Sequence, residues 1–261
     1  MKAEPVHHTV DGGVAVLTLN NPPLNLVTLS LTRALNRTLD RLAEDPKVRV
    51  LVVTGAGERA FCAGSDVSEF TELMAPGKAV ERKMIFENET YSTLDDFPKP
   101  TIAAVTGLAY GGGLELAVCC DLIVIEEHTR LALPEIKLGV FPGSGGTVRV
   151  TRRIGEGRAK EMMFFGEPID AQTALAWGLV NRIAPRGEAL LTAMRMAATL
   201  AERPNRALQL CKQAVDLALD TTEDDAIGQS LALIDEAFSS EDCREGVRAF
   251  FAKQEPRFSH S

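Results

Sequence analysis

Hydrophobic positions along this chain fall first into short β-branched runs and later into helical stripes. Val14-Ala15-Val16-Leu17-Thr18-Leu19 predicts a strand, ended by Asn20-Asn21-Pro22-Pro23. Thr28 is placed to cap a helix over 29–43, where Leu31, Leu35, Leu39 and Leu42 share one face and Asp45-Pro46 stops the run. The apolar run at 48–54 predicts a second strand, closed by Gly55-Ala56-Gly57 and followed by the loop Ala60-Phe61-Cys62-Ala63-Gly64-Ser65-Asp66. From 67 to 96 the pattern weakens, and charged residues predict one helix over 78–94 flanked by mobile loop.

Pro98-Lys99-Pro100 leads into another buried strand, Ile102-Ala103-Ala104-Val105-Thr106. A loop holding Gly111-Gly112-Gly113 follows, and an apolar helix starts at Leu114. Further strands are predicted at 121–125 and 130–133. From Gly157 the period turns helical, with helices over 158–165, 171–177, 188–201, 205–219, 223–238 and 241–253 and a short strand at 179–183. Strand, glycine turn, helix, strand in that order predicts an α/β core with mainly parallel pairing. The recurrence of strands near 14, 48, 101 and 122 suggests a spiral of turns. We divide the chain into a core over 1–195 and a C-terminal helical region over 196–261 that caps the core or packs on another subunit.

Composition narrows the class. The chain has 261 residues, 45% hydrophobic and 25% charged, enough to bury a core without disulfide staples. A formal net charge of −8 argues against nucleic acid or an anionic membrane as a partner. No run is long enough to span a bilayer, and the N-terminus lacks the apolar stretch of a signal peptide. Five cysteines without metal-like spacing read as reduced thiols of a cytoplasmic protein. The four histidines, His7, His8, His128 and His260, are unpaired at helical spacing, so no metal site is expected.

The chemistry concentrates at the glycine loop. Glycines let backbone approach a ligand closely, and a helix start presents free N–H groups to negative charge. Glu115 lies one short step beyond, so backbone donors stand beside an acid/base candidate. By itself Glu115 also reads as an acid favoured by the first turn of a helix, and Glu135, after Pro134, as a solvated loop acid.

Four segments change that balance: 60–66, Gly111-Gly112-Gly113-Leu114-Glu115, Leu133-Pro134-Glu135-Ile136-Lys137-Leu138-Gly139 and Pro142-Gly143-Ser144-Gly145-Gly146-Thr147. In this order they resemble the crotonase (enoyl-CoA hydratase/isomerase) superfamily, over nearly the whole chain and most strongly from Pro98 to Gly155. The resemblance implies a ββα spiral core with a C-terminal helical subdomain. It implies an oxyanion hole made by the backbone N–H groups of Ser65 and Gly112, a pair of reacting glutamates at Glu115 and Glu135, and a water held with help from the Gly143 N–H. It also implies an acyl-CoA thioester as partner, bound near Ala63, Asp66 and Val67, with Arg59 and Lys253 as candidate phosphate partners. No cofactor is implied beyond the coenzyme A of the substrate. Family members commonly form trimers paired into hexamers, with C-terminal helices near a neighbouring site.

Both glutamates favour a hydratase that adds water to a trans-2-enoyl-CoA. A Δ3-Δ2 enoyl-CoA isomerase would need only Glu135, and a dienoyl-CoA isomerase would carry aspartate where this chain has Gly143. A rival of another class is a non-catalytic acyl-CoA-binding or RNA-associated scaffold, against which the intact glutamates and the acidic charge count. How acid and base duty divides between Glu115 and Glu135 stays open at this point, as does the acyl group.

Overall fold

A computed structural model describes residues 4–260. The chain opens with a hairpin, β1 (Val6–Asp11) and β2 (Val14–Leu19), and crosses through α1 (Leu29–Glu44) to β3 (Val50–Gly55). Thr28 caps α1 as its sequence predicts, its hydroxyl accepting from Leu31 N at 3.2 Å. A short β4 (Ala60–Cys62) precedes a 3-10 turn (Val67–Leu73), a π-helical turn (Val80–Met84) and α2 (Ile85–Asp95). Next come β5 (Thr101–Val105), β6 (Leu108–Tyr110), α3 (Gly112–Ala117), β7 (Leu122–Glu126) and β8 (Arg130–Ala132). A 3-10 turn (Glu135–Leu138) leads to α4 (Gly146–Ile154), α5 (Glu156–Phe165), β9 (Ile169–Asp170), α6 (Ala171–Trp177) and β10 (Arg182–Ala184). Four helices end the chain: α7 (Ala189–Ala201), α8 (Asn205–Asp220), α9 (Glu223–Ser239) and α10 (Glu241–Ala252).

From β3 to β8 successive strands alternate between two sheets. The larger runs β1-β2-β3-β5-β7-β10 and the smaller β4-β6-β8-β9. Each passage β3–β4, β5–β6 and β7–β8 therefore adds one strand to each sheet before the chain returns, which is the expected ββα spiral. Pairing is parallel except where β1 meets β2 and β8 meets β9. Parallel strands buried on both faces read as continuous apolar runs, as β3 and β5 do.

The two faces of the large sheet hold two cores. Leu51, Val53, Ala103 and Val105 pack with Leu31, Leu35 and Leu39 of α1 and with Tyr91 and Leu94 of α2. Val50, Val52, Ile102 and Ala104 turn the other way, onto Ala189, Ala193, Ala197 and Ala201 of α7. The period of two in the strands and of four in α7 produces this division. Because α7 completes the second core, the domain division drawn after residue 195 falls inside a helix that packs on the large sheet.

Several elements differ from the sequence expectation. β1 has polar alternation and sits at the sheet edge, β4 forms a strand within the stretch read as loop, β6 and β9 are only three and two residues long, α4 opens on glycines, and the stretch read as loop after Asp66 is a 3-10 turn.

Candidate active site

The end of β4 and the start of α3 meet, and glycine makes this contact achievable. A Cβ on Gly113 would sit 2.0 Å from the Cys62 carbonyl oxygen. A Cβ on Gly64, whose φ is +95°, would sit 2.8 Å from the Tyr110 carbonyl and 3.5 Å from Gly112 N. Backbone thus approaches backbone where a side chain would hold the two segments apart.

The segment after Gly64 is pinned from outside. Val27 N donates to the Gly64 carbonyl at 2.8 Å, and Asp66 N donates to the Val27 carbonyl at 3.0 Å. Alternation along an extended chain then turns the Ser65 N–H away from Val27. Buried Asn25 supports the loop by donating to the Ala56 and Ala60 carbonyls. On the other side, Gly111 N donates to the Ala132 carbonyl at 2.9 Å, and the Tyr91 hydroxyl donates to the Gly112 carbonyl at 2.9 Å. Gly112 is the first residue of α3, so its own N–H lacks an intrahelical acceptor.

Glu115 lies one turn into α3 and is 2% exposed. Its Oε1 accepts from Ser144 N at 2.7 Å and Gly146 N at 2.9 Å, donors on the loop entering α4. The closeness requires glycine at 146, where a Cβ would lie 2.8 Å from that oxygen. Burial pushes the Glu115 carboxyl up to about 8; the Gly146 amide opposes the rise, and the charge of Glu135 adds to it.

Glu135 starts the 3-10 turn after Pro134. Its Oε1 lies where a Cβ on Gly111 would come within 2.9 Å, and its Oε2 is buried without a hydrogen-bond partner. Burial raises this carboxyl too, offset in part by its own backbone amide. Both glutamates line one cavity of about 410 Å³ together with Gly64, Ser65, Gly112 and Gly143. Its other wall is apolar, built from Val67, Phe70, Leu73, Met74 and Met84 on one side and Leu138, Val140 and Phe141 on the other.

The cavity brings together most of the sequence-derived site. Ala63 and Val67 line it, but Asp66 and Lys253 do not. Asp66 caps the 3-10 turn through Ser68, whose hydroxyl and amide hold its carboxyl below the usual range. Lys253 follows α10 with a positive φ of 53°. Arg59 is exposed outside the lining. Burial pushes the Cys62 thiol up to about 12, so it is no nucleophile at neutral pH.

This arrangement can polarise a carbonyl oxygen with two amides while two carboxyls with raised affinity for protons exchange one with a water. A family model for enoyl-CoA hydratase/isomerase matches residues 9–261. The chain belongs to that family. It is similar to the short-chain-enoyl-CoA hydratase of Clostridium acetobutylicum, 36% identical over 247 residues that cover 94% of this chain and 93% of that protein. It is similar as well to the 2,3-dehydroadipyl-CoA hydratase of Escherichia coli, 37% identical over 94% of each. The solved enoyl-CoA hydratase of Bacillus anthracis superposes with a TM-score of 0.93 at 31% identity, covering 98% of this chain and 100% of that one.

Several residues at this family site were not foreseen from the sequence: Glu87 and Tyr91 of α2, Lys83 before it, and Ser144 as a ligand of Glu115. Their signal was spacing. Lys83, Glu87, Thr90, Tyr91 and Leu94 are all buried at helical intervals, so α2 points charge inward where a hydrophobic stripe is expected.

Among the described residues no group of three or more His, Cys, Asp or Glu could hold a metal ion, and no helix is long and apolar enough to cross a membrane.

Proposed function

We propose that this protein is an enoyl-CoA hydratase, adding water across the 2,3 double bond of a trans-2-enoyl-CoA to give a 3-hydroxyacyl-CoA. The observation that carries the reading is that buried Glu115 and half-buried Glu135 line one cavity with Ser65 and Gly112. The thioester oxygen sits between those two N–H groups. Water addition pushes electrons from the double bond onto that oxygen, and each preorganised donor is worth roughly 3 kcal/mol to the enolate-like state.

The water sits between the two carboxyls, with the Gly143 N–H as a further contact. One carboxylate takes a proton as the oxygen bonds to Cβ, and the other carboxyl delivers a proton to Cα. Glu115 turns Oε1 to its two amides, which leaves Oε2 for the water and the exchangeable proton. Raised proton affinity on Glu115, up to about 8, keeps a proton available near neutral pH, where ordinary carboxyls hold none; burial shifts Glu135 in the same direction. Both proton movements are carried by carboxyls and water, so the reaction calls for no cofactor. The apolar wall at Phe70, Leu73 and Met84 suits an aliphatic acyl chain.

We read the assembly as a homotrimer or a hexamer. Supporting this, α8 to α10 expose Leu219, Leu231, Phe238, Phe250 and Phe251. Light scattering that finds a stable monomer would overturn it. Five free cysteines support a cytoplasmic setting. The activity is tested by following loss of enoyl-thioester absorbance with crotonyl-CoA and with longer 2-enoyl-CoAs. Fast loss supports the assignment, and no loss across that series contradicts it.

A further inference from the structure

A further carboxylate, itself buried, stands behind the reacting pair. Glu87 of α2 is 2% exposed and lines the same cavity. The Ser144 hydroxyl donates to its Oε1 at 2.5 Å, while the Ser144 amide donates to Glu115 Oε1 at 2.7 Å. One residue thus bridges two carboxylates, by side chain to one and by backbone to the other. On the far side, Lys83 Nζ lies 3.4 Å from Glu87 Oε2 and donates to Glu69 Oε2 at 3.3 Å. Lys83 is itself 4% exposed.

This network is a poor device for stability alone. A buried ion pair loses most of its attraction to desolvation, and apolar side chains of similar volume serve a core as well or better. Its connections have a direction instead. They run from Glu69, in the 3-10 turn forming one cavity wall, through Lys83 and Glu87 to the loop that cradles Glu115. We propose that Glu87 is a positioning residue for Glu115: it fixes the Ser144 hydroxyl, and through it the amide on Glu115, with Lys83 as its countercharge. The proposal rests on the hydratase reading for its kinetic consequences, but not for its electrostatic one.

The groups facing Glu115 are Glu135 across the cavity, Glu87 and Tyr91 from α2, and Cys119 just beyond the end of α3. Those facing Glu87 are Lys83, Tyr91, Cys62 and, through Lys83, Glu69. A like charge at Glu87 favours the protonated form of Glu115.

Glu87→Gln keeps an acceptor for Ser144 and removes the charge; Ser144→Ala keeps the amide and removes the link. Carbon-13 titration of glutamate carboxyls, with Glu115→Gln assigning the signal, reads Glu115 without reference to turnover. In Glu87→Gln its midpoint should fall by about half a pH unit or more. In Ser144→Ala, kcat on an enoyl-CoA should fall roughly tenfold or more with KM within about twofold. An unmoved midpoint in Glu87→Gln, or unchanged kcat in folded Ser144→Ala with only a lower Tm, would overturn the proposal. If the wild type hydrates no enoyl-CoA, the hydratase reading fails, and the carboxyl titration still decides whether Glu87 acts on Glu115.

Discussion

The floor and the roof of the cavity are built by different means. The floor, from β4, α3 and the loop before α4, is backbone: Gly64, Gly113 and Gly146 sit where any Cβ would strike a carbonyl or the Glu115 carboxylate. The roof, from Val67 to Met84, is side chain, and several of its members are well exposed, such as Met74 at 77%. Backbone donors cannot be altered by ordinary substitution, whereas side-chain walls can be exchanged. We read the floor as defining the reaction and the roof as selecting the acyl group. The tie between them is the Lys83 and Glu87 network.

The sharpest way to break the floor is Gly113→Ala. Its Cβ would lie 2.0 Å from the Cys62 carbonyl, an overlap that neither backbone segment can relieve. We expect loss of the folded protein by circular dichroism. Gly112→Ala, one residue earlier, meets only ordinary contacts at 3.5 Å or more, and its thermal midpoint should stay within about 3 °C of wild type. Similar melting of the two variants would refute the close-approach argument.

Gly146→Ala tests the Glu115 cradle without replacing a reacting group. The added methyl would sit 2.8 Å from Oε1 and 2.9 Å from Cγ, pushing the carboxyl off its amides. Turnover should fall on the order of a hundredfold, since small misplacements carry that cost. Retained turnover in steady-state kinetics would remove the cradle from the account.

Titration of Glu115 gives a smaller, signed effect. Its folded-state affinity for protons is raised, from the usual carboxyl range to about 8. That contribution to stability is complete below about pH 4.5 and is lost as pH rises toward 8. Chemical denaturation should therefore show wild type losing more stability than Glu115→Gln between those limits. An equal slope in both proteins would show that Glu115 titrates normally. The smallest expected effect is on the roof: Phe70→Ala should change KM by about threefold to tenfold for longer acyl chains, with little change in kcat on crotonyl-CoA.

What was legible in the sequence follows the same division. The glycine segments and the two glutamates were singled out through the family resemblance, and the structure lines one cavity with Gly64, Gly112, Glu115 and Glu135. The large-sheet strands β2, β3, β5 and β7 and most C-terminal helices were legible from periodicity, since each buries an apolar run or stripe. Within the 67–96 stretch the helix over 78–94 was legible, and the chain is helical over 78–95, but the inward role of its charges was not. There Lys83 and Glu87 occupy inward helical positions, which lowers the hydrophobic contrast that marks a helix. The role of Ser144 was equally hidden, because a serine among glycines says nothing of which carboxylate its amide meets.

On this reading the floor carries the chemistry while the roof carries the acyl group. The reading's most direct test is kcat on crotonyl-CoA, with the dissociation constant of a saturated acyl-CoA, for wild type and Glu115→Gln. We predict a fall in kcat of roughly 10²-fold or more with the dissociation constant within about twofold. Glu115→Gln turning over within about threefold of wild type, at unchanged affinity, would contradict the account.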